Sequence, residues 1–278
     1  MSAQIEAIPQ KQCGSACSSC NTSQLTRLGI KAGGWDYVVA LMGNPNTGKS
    51  TIFNALTGLR QHVGNWPGKT VVRAEGAFNY RERKYKLVDL PGTYSLLSTS
   101  VDEEVARDFV LFGQPDVTIV VTDVTRLESN LGLVMQVLEI TDRVVIALNL
   151  IDEARRHGLA VDERALARDL GVPVVPMAAR RGEGLTDLLG AVDDIAQGAY
   201  PTRPRRLKYA DAPLEAAVET LASQLIDAFP KLPNARWVAL RLLEGDESII
   251  KAVGDGTLGQ LDRVNTFADR LVGLEAAK

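Results

Sequence analysis

The stretch Gly43-Asn44-Pro45-Asn46-Thr47-Gly48-Lys49-Ser50, set between the apolar run Tyr37 to Met42 and the helix-period segment Ser50 to Thr57, constrains this chain more than any other feature. Glycine, four intervening residues, then Gly-Lys-Ser is the spacing of a phosphate-binding loop, and a strand before it with a helix after it is the context such a loop needs. Glycines let backbone N–H groups turn toward phosphate oxygens, and the helix start adds the positive end of its dipole. Lys49 is expected to bridge β- and γ-phosphate oxygens and Ser50 to offer its hydroxyl to Mg²⁺, with Thr51 beside it in the first turn.

Around this loop, short β-branched runs alternate with helix-period segments from Trp35 to about Gln197, which predicts a mainly parallel sheet with helices on both faces. Strands are expected at Tyr37 to Met42, Val71 to Tyr80, Lys84 to Asp89, Val117 to Thr122, Val144 to Asn149 and Val172 to Val175. Arg81-Glu82-Arg83 reads as the loop of a hairpin, making one sheet edge antiparallel. Helices are expected at Ser50 to Thr57, Val101 to Phe112, Leu127 to Ile140, Asp162 to Leu170 and Gly184 to Gln197. After Pro201, Leu214, Leu221, Leu225, Phe229, Trp237 and Leu240 recur at helical spacing, so a small all-α domain should follow. The division expected is a flexible leader over 1–34, an α/β domain over 35–200 and a helical domain over 201–278.

Further motifs fall at strand ends. Asp89-Leu90-Pro91-Gly92 supplies Asp-x-x-Gly, in which Asp89 holds a Mg²⁺-bound water and the Gly92 N–H meets the γ-phosphate. Upstream, Val63 to Thr70 reads as a mobile segment in which Gly68, Lys69 and Thr70 approach the nucleotide and Thr70 is a Mg²⁺ ligand ordered by the γ-phosphate. The plainer reading of Thr70 is a β-branched residue that starts a strand. Asn149-Leu150-Ile151-Asp152 follows an apolar strand about a hundred residues after the loop. An ionised Asp152 accepts from guanine N1–H and N2–H₂, donors adenine lacks, so this element selects GTP and GDP over adenine nucleotides. Asn149 would brace the loop and contact the base edge, while Ala178-Ala179-Arg180 would cap the base through backbone N–H groups. Ala178 has no hydroxyl with which to brace that loop, so modest affinity and fast GDP release are expected.

Thr93 stands where related switch enzymes carry a water-orienting Gln, so slow intrinsic hydrolysis is expected. Asn46 flanks the space between β- and γ-phosphates. Its amide oxygen, with carbonyls from Gly64 and Trp66, is a candidate K⁺ shell that places positive charge where the transition state needs it. Alternatively Asn46 only tolerates a left-handed turn.

With a net charge of −3 and 23% charged residues, the chain has no global basic field for nucleic acid. Its apolar runs are strand-sized, far short of the roughly 20 residues a membrane helix needs. The N-terminus lacks a basic cluster followed by an apolar stretch, which makes the cytosol the default address. Cys13, Cys17 and Cys20, the only cysteines, have the close spacing of a metal or redox site, but are one thiolate short of a closed zinc site. A reduced, solvated tail is the plainer reading.

Beyond single motifs, Gly43 to Asn54, Val63-Gly-Asn-Trp-Pro-Gly68, Asp89-Leu-Pro-Gly-Thr-Tyr-Ser-Leu96, Asp102 to Asp108 and Leu127-Glu-Ser-Asn-Leu131 together resemble the FeoB family of bacterial ferrous-iron transporters. The resemblance implies a cytosolic GTPase G domain plus helical domain, stimulated by K⁺. It further implies coupling to a C-terminal membrane transport domain that moves Fe²⁺, at the cytoplasmic face of the inner membrane. Homo-oligomers are a partner class it leaves open. Lys69 and Val72 depart from the pattern, which favours an apolar and an acidic residue there. Two rival readings share the motifs: a GTPase of ribosome assembly or tRNA modification, and a nucleotide-gated module that senses metal through its cysteines. The mildly acidic tail, with Asp211, Glu215, Glu219 and Asp227, argues against an RNA partner.

Overall fold

The computed structural model describes residues 28–30, 34–58, 61–97, 100–206, 211–229, 232, 234–254 and 258. Cys13, Cys17 and Cys20 lie outside the described residues. Seven strands form one sheet: β1 (Tyr37–Gly43), β2 (Gln61–Asn65), β3 (Val72–Tyr80), β4 (Arg83–Asp89), β5 (Val117–Asp123), β6 (Val144–Asn149) and β7 (Val174–Pro176). Their order is β2-β3-β4-β1-β5-β6-β7. β1 pairs in parallel with β4 and β5, and β5, β6 and β7 continue in parallel, whereas β2/β3 and β3/β4 are antiparallel.

Central strands bury both faces, which is why they read as continuous apolar runs. In β1, Val38, Ala40 and Met42 join one core with Phe109, Leu133 and Val137, while Val39 and Leu41 join the other with Ile52, Phe53, Leu188 and Val192. The second core lies beneath α1 (Lys49–Thr57) and, once the chain returns, α6 (Leu185–Ala196). The first lies beneath α2 (Val101–Gly113) and α3 (Leu127–Ile140). Ser100 caps α2 by accepting from the Glu103 N–H at 3.2 Å, with Asp102, Glu103 and Glu104 in the first turn, where the dipole favours acids. α4 (Ile151–Arg156) and α5 (Glu163–Leu170) fill the connection from β6 to β7.

Three expectations are corrected. The segment after α1 is not a plain mobile loop: Gln61–Asn65 forms the edge strand β2 against β3. Gln-His-Val-Gly-Asn has no alternation to announce a strand, and pairing with β3 overrides its weak propensity. The β3–β4 loop is two residues rather than three, Arg81 and Glu82, both at positive φ (45° and 66°), because Arg83 already belongs to β4. Neither residue favours that conformation. Arg81 and Arg83 instead tie the turn to the buried Asp193 of α6, at 3.2 and 2.9 Å. Finally, the expected leader is not loose throughout, since Ile30 is fully buried in the first core and Leu28 packs against it.

The tail is helical as its periodicity predicts: α7 (Ala212–Ala228), α8 (Ala235–Leu243) and α9 (Glu247–Gly254). Val218, Leu225, Phe229, Trp237 and Ile249 belong to the same buried cluster as Phe109 and Leu133, so the tail extends the first core. Arg107 of α2, with no exposed surface, donates to Asp108 at 2.7 Å and to Asp246 at 3.3 Å. Asp246 in turn starts α9 by accepting from the Ser248 and Ile249 N–H groups at 3.1 and 3.3 Å. Among the described residues no helix is long and apolar enough to cross a membrane.

Candidate functional site

The loops that follow β1, β4, β6 and β7 all emerge at the carboxyl ends of the parallel strands, where β1 has neighbours leading in opposite directions. Such a switch point opens a crevice for ligand. Gly43 to Ser50 turn tightly there. A Cβ on Gly43 would lie 2.5 Å from the Val121 carbonyl oxygen, so only glycine fits. Asn46 is exposed and left-handed (φ 66°), and Gly48 (φ 86°) starts α1. The Thr47 hydroxyl donates to the Asn44 carbonyl at 2.9 Å, while Ser50 is exposed at the helix start. Asn44 is buried, and among the described residues its amide finds no hydrogen-bond partner.

Asn149 joins two loops with one side chain. Its Nδ2 donates to the Thr47 carbonyl at 2.9 Å, and its Oδ1 accepts from the Ala179 N–H at 3.1 Å. Both halves of the amide are thereby used in bracing. A Cβ on Gly48 would sit 2.3 Å from that same Nδ2. Leu150 is left-handed (φ 65°) and begins α4, with Asp152 in its first turn. The Asp152 carboxylate lies 3.3 Å from Arg181 Nε and 3.8 Å from Arg156 Nη2. Sequence reasoning did not single out Arg181, and nothing in the motif signals it.

At Ala178 the loop is held by backbone alone: its N–H donates to the Glu183 carbonyl at 3.1 Å, and the Glu183 side chain pairs with Arg155 at 2.7 Å. Ala178 and Ala179 are buried, whereas Arg180 is exposed.

Asp89, at the end of β4, forms an ion pair with Lys49. Burial lifts the Asp89 carboxyl above its usual range, against the opposing pull of Lys49. Leu90 is buried and donates its N–H to the Leu41 carbonyl at 2.9 Å; Pro91 is half-buried. Gly92 approaches the phosphate loop so that a Cβ on it would lie 3.6 Å from Pro45, and the Thr93 N–H donates to the Gly43 carbonyl at 3.3 Å. Thr93 is buried, its hydroxyl donating to the Ser95 carbonyl at 2.6 Å, so it points no free group at a ligand.

The segment after β2 is parked at the sheet edge. Trp66 is buried, edge-on to Phe109 of α2 with centroids 5.5 Å apart, and beneath the Arg73 guanidinium at 5.4 Å. Its carbonyl accepts from the Lys69 N–H at 3.0 Å, and Lys69 Nζ pairs with Glu104 of α2 at 2.8 Å. Gly64 lies within β2, while Gly68 and Thr70 are exposed in the turn. β2 is three strands from β1 in the sheet, about 14 Å. The described contacts of Trp66 and Lys69 run to β3, Phe109, Arg73 and Glu104, not to Asn46, Lys49 or Ser50. Among the described residues no cluster of three or more His, Cys, Asp or Glu has a metal-binding arrangement.

Two family profiles match the chain: "Ferrous iron transport protein B" over residues 37–192 and "FeoB cytosolic helical domain" over residues 211–272. The Fe(2+) transporter FeoB of Escherichia coli (strain K12) is 42% identical over 212 residues, covering 75% of this chain and 27% of that protein. A Fe(2+) transport protein A/FeoB fusion protein of Porphyromonas gingivalis is 39% identical over 245 residues, covering 87% and 29%. The chain thus spans between a quarter and a third of the length of these relatives. Among solved structures, the cytosolic domain of T. maritima FeoB in its GMPPNP form superposes with a TM-score of 0.72 at 37% identity, covering 86% of this chain and 92% of that one. The cytosolic domain of L. pneumophila FeoB gives 0.68 at 34% identity, covering 81% and 95%. A helical unit that matches this family's own leaves the ribosome-assembly and tRNA-modification rivals without support. With both the α/β unit and the tail accounted for, the chain belongs to the ferrous iron transport protein B family.

Proposed function

We propose that this chain is the GTP-binding, GTP-hydrolysing switch of a bacterial ferrous-iron transporter, acting beside a membrane domain that carries Fe²⁺, at the cytoplasmic face of the inner membrane. The observation that carries the reading is the Asn149 bridge, which fastens the phosphate loop to the loop at Ala179 beside Asp152 and so sets a phosphate cradle and a base-reading carboxylate at one crevice. Relatives whose solved structures are in GDP and GMPPNP forms support guanine nucleotide as the ligand.

Lys49 leaves Asp89 to meet the β and γ oxygens, and the backbone N–H groups of Gly43 to Thr51 supply the rest of the cradle. Asp152 accepts from the guanine edge, while the backbone of Ala178 to Arg180 covers the base. Leu150 lies beside it. The donors at Ser50, Asp89 and Thr70 are hard oxygens that fit Mg²⁺, whose charge offsets that of the phosphates when bound. Thr70 must travel from the sheet edge to take part, along with Gly68 and Lys69. The Gly92 N–H faces the γ-phosphate once the Asp-x-x-Gly loop adjusts. Thr93 lacks a free group to orient water, which supports slow turnover. Asn46, exposed at the turn of the loop, is a fitting K⁺ ligand, and Gly64 and Trp66 complete its shell only if the parked segment moves.

Hydrolysis of GTP and ATP with Mg²⁺, in K⁺ against Na⁺, tests this reading on the wild-type chain and on Asn46→Ala. We expect turnover of GTP alone, stimulated by K⁺ on the order of tenfold to a hundredfold and insensitive to K⁺ in the variant. Comparable ATP turnover would sink the guanine reading, and indifference to K⁺ would sink the cation.

A further inference from the structure

Residues 28–30 precede the G domain in sequence, yet they rest on the segment that must move. The Leu28 carbonyl accepts from Arg73 Nη1 at 3.0 Å. Gly29, left-handed at φ 78°, fits so closely that a Cβ there would lie 2.5 Å from Arg73 Nη1 and 3.0 Å from Pro67. Ile30 has no exposed surface and shares the core that holds Trp66 and Phe109. The Arg73 guanidinium so engaged covers the Trp66 ring at 5.4 Å. Three consecutive residues thus grip the Trp66-Pro67 corner and its covering arginine at once.

That grip acts on a segment with a reason to leave. Trp66 is 3% exposed, and its indole N–H has no hydrogen-bond partner among the described residues. A buried unpaired donor is costly. Its position must be held by other contacts: the T-shaped Phe109 ring, the backbone bonds of Trp66 with Val71 and Lys69 at 3.0 Å each, the Lys69–Glu104 ion pair, the Arg73 guanidinium, itself paired with Glu75 at 2.8 Å, and the 28–30 grip. The Lys69–Glu104 ion pair joins side chains that are each about one-third exposed (33% and 32%), where such pairs contribute little. The Leu28 carbonyl and the Glu75 carboxylate share the Arg73 guanidinium in surroundings better shielded than the Lys69–Glu104 pair.

We propose that residues 28–30 are an autoinhibitory clasp on switch I: they hold Trp66, Pro67 and Arg73 at the sheet edge, and the clasp must open before Thr70 can reach the γ-phosphate side of the site. The inference rests on the functional reading above. A ligand with a γ-phosphate works against the clasp, whereas GDP, which asks nothing of switch I, does not; the clasp therefore lowers GTP affinity selectively.

The test compares the 278-residue chain with a chain lacking residues 1–33 and with Gly29→Val in the full chain, where a β-branched residue at positive φ and 2.5 Å from Arg73 breaks the grip while leaving Ile30 in place. Affinities for GDP and for a non-hydrolysable GTP analogue are measured by fluorescent-nucleotide displacement, with melting temperature recorded alongside. The clasp predicts GTP-analogue binding about five- to tenfold tighter in either variant, the size of one lost shielded hydrogen bond, with GDP affinity within twofold. If the truncated chain does not fold, Gly29→Val alone decides. An unchanged ratio of the two affinities, or a parallel loss of both, overturns the clasp and leaves the functional reading standing. A wild-type chain that binds neither nucleotide overturns that reading, and the clasp with it.

Discussion

One carboxamide at position 149 occupies both a carbonyl of the phosphate loop and an N–H of the base-side loop. Asn149→Ala leaves the Thr47 carbonyl and the Ala179 N–H buried and unpaired, at about 1 kcal/mol or more each. GDP affinity is expected to fall about 30-fold, measurable by titration with a fluorescent analogue. Asp152→Asn replaces an acceptor with a group that also donates, which suits the 2-oxo edge of xanthine. Competition binding is expected to show XTP preferred over GTP by about tenfold or more. The bracing role of Asn149 was legible in the sequence because it depends on residue type at a fixed offset from a strand end. Arg181 was not, since its approach to Asp152 depends on the turn Ala179-Arg180-Arg181 that only the folded loop defines. The same holds for the Lys49–Asp89 pair, which joins two motifs each legible alone.

At the scale of elements, the apolar runs gave β1, β5 and β6 and the helix periods gave α1 to α3 within a residue or so. What stayed hidden were elements stabilised by distant partners. β2 exists because β3 pairs with it, and the Arg81-Glu82 turn holds because Asp193 receives Arg81, Arg83 and the Tyr85 hydroxyl. Burial alone would raise the Asp193 carboxyl, but the Tyr85 hydrogen bond and Arg83 together bring it below its usual range. A depressed folded value means that its stabilisation is in place above the ordinary carboxylate value near 4 and fades as pH falls through the folded value. Asp193→Asn is therefore expected to lower stability by about 3 kcal/mol at pH 7, with the gap to wild type closing below about pH 4, as read from urea denaturation at several pH values. A gap that stays constant as pH falls through the carboxylate range would assign the loss to packing instead of charge.

Across the whole molecule, the first core runs without interruption from Ala40 and Met42 through Phe109 and Leu133 to Val218, Trp237 and Ile249. Sequence texture predicted a small helical bundle without saying what it packs against, because a helical period shows which face is apolar but not what covers it. A shared core predicts shared unfolding. Trp237→Ala, removing a side chain only 5% exposed, is expected to cost about 3–5 kcal/mol and to shift one common thermal transition, followed by calorimetry. Two separable transitions, with only one displaced, would contradict it. The same continuity gives the molecule a mechanical character. Asp246 begins α9 and grips Arg107 in the middle of α2, and Glu104, one turn earlier, holds Lys69. A tug on α9 therefore reaches α2 through one buried strut, and α2 meets the corner beside Thr70 through the more exposed Lys69–Glu104 pair, the softest joint on the way.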